Sequence, residues 1–436
     1  MMKYWRIPSG INRMRLSFGR FLQLAKGDLR DLIIDGARFT SRFLGLHTLF
    51  KKVAYDSGVI AQKDWGAAAI AEFQQRLRQE IHSLDAPKPV IFISACMSPD
   101  EGGGWKYNGG IKEFNCLVKL LRQRGYEAYI VTYDGTYEPW LIDHQPHISL
   151  AEFRVMRQSH PHIRCITSWA EAEPFLQECD QVYYWDMDLC FSENEHFPLL
   201  ANLYRTKIRN TAGISRTIQA WHMAYFSKPC TLLPNLVDDG LWTPDEAKRK
   251  SLRVGYMDEG PHTERYLDII RDTTLSQGLN LELFQLKGLE ADILAGMQTC
   301  TVFLTMNLGK DPLWGEGGPL PPLEAMATSC IPITFDILGP REIIQSHFNG
   351  IIVPRYRPDL MAKALVNLYK QPGEIERLRQ NALTLFRTCY TFDARWAAVK
   401  EFLELAEPDT LPLETPIYSS THRPIHSSTH PVTNLD

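Results

Sequence analysis

From residue 90 onward the chain alternates between short unbroken apolar runs and stretches whose apolar residues recur every third or fourth position. Val90–Ser94 (VIFIS) and Ala128–Thr132 (AYIVT) are runs of the first kind, as a strand buried on both faces requires. Between them Ile111, Phe114, Leu117, Val118 and Leu121 fall on one helical face, and Gly125 suits a helix C-cap. The spacing predicts a βαβ unit over 90–132, a parallel pair with a right-handed crossover. Further strands are predicted at 163–166 and 182–185. Residues 137–160 contain Pro and His without a clear period, and no element is assigned to them.

A second alternating set begins at 252. Strands are predicted at 252–256, 281–286, 301–305, 331–335 and 350–353, and helices at 264–274, 290–297, 320–328 and 341–346. Three more helices follow, at 358–370, 373–387 and 392–406. Alternation of this kind argues an α/β chain with two doubly wound sheets, joined near 234–244, where two Pro, one Gly and an acidic pair cluster. Ligands of such sheets bind beyond the C-terminal strand ends, so the natural site is the cleft between the two. Upstream, Ala67, Ile70, Phe73, Leu77 and Ile81 predict a helix over 64–83. The expected organisation is a helical N-terminal arm (1–88), a first Rossmann-like domain (89–237), a second (238–407) whose last helix is free to pack back on the first, and a tail (408–436).

Composition narrows the class. The 436 residues are 44% hydrophobic and 22% charged, close to soluble globular averages, and long enough for two or three domains. The net charge of −4 leaves no overall footprint for nucleic acid. Nine Cys without a single C-x-x-C pair point to scattered reduced thiols in a cytosol-like compartment rather than a disulfide scaffold or a Cys-based zinc site. No apolar run of ~18 residues is present to span a bilayer.

The charge is uneven. Residues 1–55 hold eleven basic and three acidic side chains, so the arm is +8 and the remainder −12. Phe and Leu recur among the arginines. Two readings stand: an arm lying on an anionic membrane surface, and an ordinary helical arm packed on its own domain. The last 29 residues hold five Pro and many Ser and Thr, which predicts a disordered tail. His422, His426 and His430 would share a helical face suited to a metal, but Pro424 and Pro431 argue against a helix there.

The most informative stretch is 314–333, WGEGGPLPPLEAMATSCIPI. Glu316 lies in a glycine loop with Gly317 and Gly318. Glu324, eight residues later, lies in a helix opened by Pro319, Pro321 and Pro322. One carboxylate and bare helix N-terminal amides suit a polyhydroxylated, phosphorylated ligand. The plainer reading is a Gly-Pro loop before a surface helix with a solvated Glu.

These residues resemble the retaining GT-B glycosyltransferases with the E-x(7)-E motif, the family 4-like or "glycosyl transferases group 1" type, whose motif runs EGFGLPPLEAMA. Here residues 316–327 read EGGPLPPLEAMA. ILGPREI (337–343) resembles the family's glycine-rich turn, NGIIVP (349–354) its N-G-L-L-V-P strand, and PDLMAKALVNLY the helix after it. Upstream, ISR…LLPNLVD (214–238) is similar to its interdomain link, and Gly109-Gly110-Ile111 to its G-G loop. The matches run in order from about 90 to 400, leaving the arm and tail outside.

The resemblance implies a GT-B fold, two Rossmann-like domains facing across a cleft, and sugar transfer from a nucleoside diphosphate sugar to a hydroxyl, with retention. Glu316 would contact the donor sugar and Glu324 the ribose. The loop Gly317, Gly318, Pro319, Leu320 and the turn with Gly339, Arg341 and Glu342 would offer amides to sugar and diphosphate. Gly109 and Gly110 would let the first-domain loop approach the phosphates. No cofactor or metal is implied. The implied partners are the nucleotide sugar and a glycan or lipid-linked acceptor, with the arm in peripheral contact with an anionic membrane, in the cytoplasm or at the membrane's inner face. The alternative is an inverting or non-catalytic relative on the same fold.

Two features depart from that pattern. Where the family has a G-R-L…K-G segment, this chain has VGYMDEGPH (254–262), with Tyr256 in place of Arg and no Lys. His262, Arg265, Lys287 and Lys310 are the available substitutes. Second, Asp186-Met187-Asp188 follows an apolar run, as in the metal–diphosphate motif of the GT-A fold. In register with the family it resembles, Asp186 falls near where that family places a His close to the reacting sugar, which makes it a candidate catalytic residue. A strand-end or capping role is the other reading.

Overall fold

The computed structural model describes residues 90–94, 109–133, 135, 140–160, 163–168, 173–188, 197–260, 262–307 and 318–405. The arm with its expected helix over 64–83, most of the glycine-rich loop before Gly109, Glu316, Gly317, Lys310 and the tail lie outside these residues.

The first sheet contains β1 (Val90–Ser94), β2 (Ala128–Thr132), β3 (His147–Ser149), β4 (Ile163–Thr167), β5 (Val182–Asp186), β6 (Ile208–Gly213) and β7 (Thr231–Leu232). Its helices are α1 (Gly109–Gln123), α2 (Leu150–Ser159), α3 (Glu173–Glu178), α4 (Phe197–Thr206) and α5 (Arg216–Phe226). The order is β3-β2-β1-β4-β5-β6-β7, and every pairing is parallel. β1, β2 and β5 are buried along their whole length, which is why they read as unbroken apolar runs.

The second sheet contains β8 (Arg253–Tyr256), β9 (Glu282–Gln285), β10 (Val302–Thr305), β11 (Ile331–Phe335) and β12 (Ile351–Val353) in the parallel order β12-β11-β10-β8-β9. Around it lie α6 (Thr263–Ser276), α7 (Glu290–Gln298), α8 (Leu320–Ala327), α9 (Leu338–Ile343), α10 (Pro358–Tyr369) and α11 (Pro372–Cys389). The final helix, α12 (Phe392–Leu403), buries Phe392, Val399, Phe402 and Leu403 in the core of the first sheet. The Phe402 ring meets Tyr183 of β5 edge-on at 5.9 Å.

Strand order places the functional loops. In the first sheet the chain winds outward from β1 to β3, then returns to β4 on the other side of β1. In the second it goes from β8 to β9, then returns to β10 on the other side of β8. Each reversal is a topological switch point, where the crevice beyond the strand ends admits a ligand. The loop into Gly109 leaves β1, and the loop carrying Glu316 leaves β10. Both glycine loops therefore spring from switch-point strands.

Within the stretch 137–160, unassigned from the sequence, residues 147–159 form β3 and α2. The helix starts at a capping box: Ser149 Oγ accepts from the Glu152 amide at 3.1 Å, and Glu152 Oε2 accepts from the Ser149 amide at 2.9 Å. β6 (IRNTAG) also has no apolar signature, because Thr211, Ala212 and Gly213 are buried by being small. A Cβ on Gly213 would lie 2.9 Å from the Gln219 amide nitrogen. The short helix expected at 341–346 begins earlier, at Leu338, so the glycine-rich turn is itself helical. Among the described residues no helix is long and apolar enough to cross a membrane.

Candidate active site

The two domains meet along a seam built from both switch points. α1 starts at Gly109, where an added Cβ would come within 3.4 Å of Leu320 Cδ1, the first residue of α8. At Gly318 the approach is closer still: a Cβ there would fall 2.7 Å from Ile214 Cδ1, just past β6. Asn235 Nδ2 donates to the Gly318 carbonyl at 2.5 Å. Glycine at 318 is what lets the second-domain loop lie flat against the first domain.

α8 opens with Pro321 and Pro322 in its first turn, where a missing N–H costs nothing. It carries Glu324 into full burial, not onto a solvated surface. There the Glu324 carboxylate accepts a charged hydrogen bond from Lys112 Nζ, from the first turn of α1 in the other domain. Lys112, itself 1% exposed, also pairs with Glu290 Oε1 at 2.5 Å, and its ammonium lies 4.0 Å from the centre of the Trp242 ring. Glu290, which opens α7, grips the first domain twice more. Its amide donates to the Trp140 carbonyl at 2.9 Å, and its Oε2 accepts from the Ile142 amide at 2.9 Å.

Glu113 sits beside this group. Its Oε2 accepts from the Leu236 amide at 2.7 Å, while its Oε1 has no hydrogen-bond partner among the described residues. Burial drives this carboxyl well above the usual range, against the pull of the Leu236 amide and Lys112, and with Glu324 adding to the rise.

Glu342, assigned by resemblance to the donor, presents its carboxylate to the first domain. Oε2 accepts from the Arg216 amide at 2.6 Å, and Oε1 from the Thr217 amide and hydroxyl at 3.1 and 3.2 Å. Ser215 caps the third amide of α5, with Oγ accepting from Ile218 at 3.3 Å. The N-terminus of α5 is thus closed jointly by its own serine and by a carboxylate from the other domain. Gly339 is buried in α9, and Arg341 turns outward to pair with Asp336.

Asp186 ends β5 and is 1% exposed. Its Oδ2 meets His222 Nε2 at 2.7 Å, its Oδ1 accepts from the Asp188 amide at 3.0 Å, and His222 Nδ1 meets the Tyr204 hydroxyl at 2.6 Å. Its carbonyl accepts from the Ile214 amide at 3.2 Å, so it lies one strand away from the residue that touches Gly318. Among the described residues no group of three or more His, Cys, Asp or Glu is placed to hold a metal ion.

Of the substitutes for the absent Arg/Lys pair, His262 stacks on Tyr266 at 6.0 Å, and Arg265 and Lys287 lie on exposed faces. The cation beside Glu324 is Lys112, which the sequence reading missed along with Glu290 and Trp242. One signal was available: Lys-Glu interrupts the apolar pattern of α1 just after Gly109-Gly110.

Residues 254–384, from β8 into α11, match the family described as Glycosyl transferases group 1. No curated protein matches the chain. Solved structures do. TarM of S. aureus aligns with a TM-score of 0.58 at 10% identity, covering 73% of this chain and 99% of its own. Sucrose-phosphate synthase of Thermosynechococcus elongatus aligns with 0.53 at 12%, over 73% and 98%. HepE of Anabaena, solved with UDP and glucose, aligns with 0.53 at 14%, over 73% and 100%. The chain has the GT-B fold, and through its second domain it is related to the glycosyl transferases of group 1.

Proposed function

We propose that the protein is a retaining glycosyltransferase that moves a hexose-type sugar from a nucleoside diphosphate donor to a hydroxyl of a glycan or lipid-linked acceptor. The observation that supports this best is the place in the chain of the segment between β10 and α8. That segment leaves a switch-point strand, opens the E-x(7)-E motif, and delivers Glu324 to the seam between the domains, within a stretch that matches group 1.

In this reading Glu316 binds the donor sugar and Glu324 the ribose. Gly317, Gly318 and Leu320, with the backbone amides of the turn that holds Gly339, Arg341 and Glu342, surround the sugar and diphosphate. Gly109 and Gly110 bring the first-domain loop close to the phosphates. Asp186, held by His222 and the Asp188 amide, shapes the acceptor side at the end of the sheet where Ile214 meets Gly318. Attack and departure share one face of the sugar, and the leaving phosphate takes the acceptor proton. Catalysis then consists of positioning and charge stabilisation. The basic arm would bring the protein to an anionic membrane where a lipid-linked acceptor is presented, as a peripheral protein of the cytoplasmic side.

A panel of UDP-, ADP- and GDP-sugars tests the reading, by thermal shift and by release of nucleoside diphosphate. One donor should stabilise the protein in proportion to RT ln(1 + [L]/Kd). The anomer of the product, read by NMR, should match that of the donor. If no nucleotide sugar binds or turns over, the protein is a non-catalytic relative; an inverted anomer removes the retaining mechanism.

A further inference from the structure

The glycosyltransferase reading, on which this inference rests, leaves one chemical need unmet. A diphosphate leaving group develops charge that must be neutralised, yet position 256 is tyrosine. The seam supplies a cation from the opposite domain. Lys112 has three donors on a flexible stem, and in this structure they serve Glu324 and Glu290 under the Trp242 ring.

Lys112 is shared between two carboxylates, those of Glu324 and Glu290, and burial holds the neighbouring Glu113 carboxyl toward its neutral form. A diphosphate brought against this group is repelled by its carboxylates unless the ammonium turns toward it. A ribose has no such difficulty, because its hydroxyls donate to Glu324 without adding charge. The two halves of a nucleoside diphosphate thus act on the pair in complementary ways: one takes over the carboxylate and the other attracts the cation it releases. Glu290 and the Trp242 face keep Lys112 anchored during the exchange.

We propose that Lys112 is a donor-binding residue that exchanges Glu324 for the diphosphate oxygens once ribose hydroxyls engage Glu324. It supplies, from the first domain, the positive charge that Tyr256 does not. The same exchange couples donor binding to the domain seam, since the Lys112–Glu324 contact joins the two domains.

Calorimetry with UDP and uridine, and in parallel ADP with adenosine and GDP with guanosine, tests this on the full-length protein. The readout is the ratio of nucleoside to nucleoside diphosphate Kd, which isolates what the phosphates contribute. Lys112→Met should lower that ratio roughly tenfold to a hundredfold, the worth of a charge-assisted contact, with nucleoside binding unchanged or tighter. Lys112→Arg should keep most of the ratio. Glu290→Gln, nearly isosteric, should raise it, because Lys112 is then held less tightly. This variant decides the matter if Lys112→Met fails to fold. A merely structural lysine would give the opposite pattern. Nucleoside and diphosphate would weaken together in Lys112→Met, or the ratio would fall in Glu290→Gln, and either result overturns the proposal. If the wild type binds nucleoside diphosphates and the ratio is unmoved by these variants, the exchange alone is refuted. If the wild type binds none of the three diphosphates, the glycosyltransferase reading fails and the exchange with it.

Discussion

Glu342→Ala should unlock the first turn of α5 while leaving both domains folded. In α5 the first two amides, those of Arg216 and Thr217, are held by Glu342, and the third by Ser215. The helix therefore has two independent caps, and only one comes from the other domain. Charge-assisted hydrogen bonds are worth ~1.5–3 kcal/mol when well buried. Arg216 is exposed and Thr217 half-buried, so water replaces part of what is lost, and the net cost is about 1–2 kcal/mol. Such a change multiplies the open population of the turn by ~5–30. Hydrogen exchange on peptides covering 214–220 reads it directly, as a loss of protection by that factor at the first two amides. The Ile218 amide should change less, because Ser215 still covers it. Glu342→Gln, which keeps one acceptor oxygen, should fall between the two. Unchanged protection in Glu342→Ala would refute the account of a cap supplied across the seam, as would equal loss at Ile218.

Glu316→Gln should cost ~30- to 1000-fold in transfer, or ~2–4 kcal/mol, with an unchanged melting temperature, as expected of a carboxylate proposed to contact the donor sugar; full activity in this variant would end the assignment. At Glu113 the folded-state affinity for a proton is raised, so its contribution to stability is complete below the ordinary carboxylate range and is lost as pH climbs toward the raised value. Glu113→Gln should therefore gain on the wild type in denaturant midpoint as pH rises above the ordinary carboxylate range, and parallel curves would show that the group is ionised in the fold. Full-length protein should co-sediment with anionic but not neutral liposomes at low salt, and lose this on deletion of residues 1–55, each engaged Lys or Arg being worth ~1 kcal/mol; protein that stays in the supernatant would leave the arm a structural element.

What the sequence reveals of this protein follows the physics of each element. β1, β2, β5 and β11 are covered on both faces, so they appear as unbroken apolar words. β6 is just as central, yet it is packed through Thr, Ala and Gly, whose burial leaves no apolar trace. The capping box at Ser149 is present in the letters, but it marks a helix start without leaving any apolar period. The site divides the same way. Glu324, Gly318 and Gly109 are legible because a motif confines them to a few consecutive residues. Lys112 is not, because its meaning depends on Glu324, Glu290 and Trp242, more than a hundred residues away and on another sheet. A lysine in an amphipathic helix reads as solvated until the fold supplies the carboxylates that make it worth burying. That asymmetry explains the apparent gap at Tyr256. A search for a missing cation that stays within the segment where relatives keep it will find nothing. The Lys112–Glu324 pair and the close approach of Gly109 to Leu320 bring the two switch points to one seam, where the first domain can supply the charge.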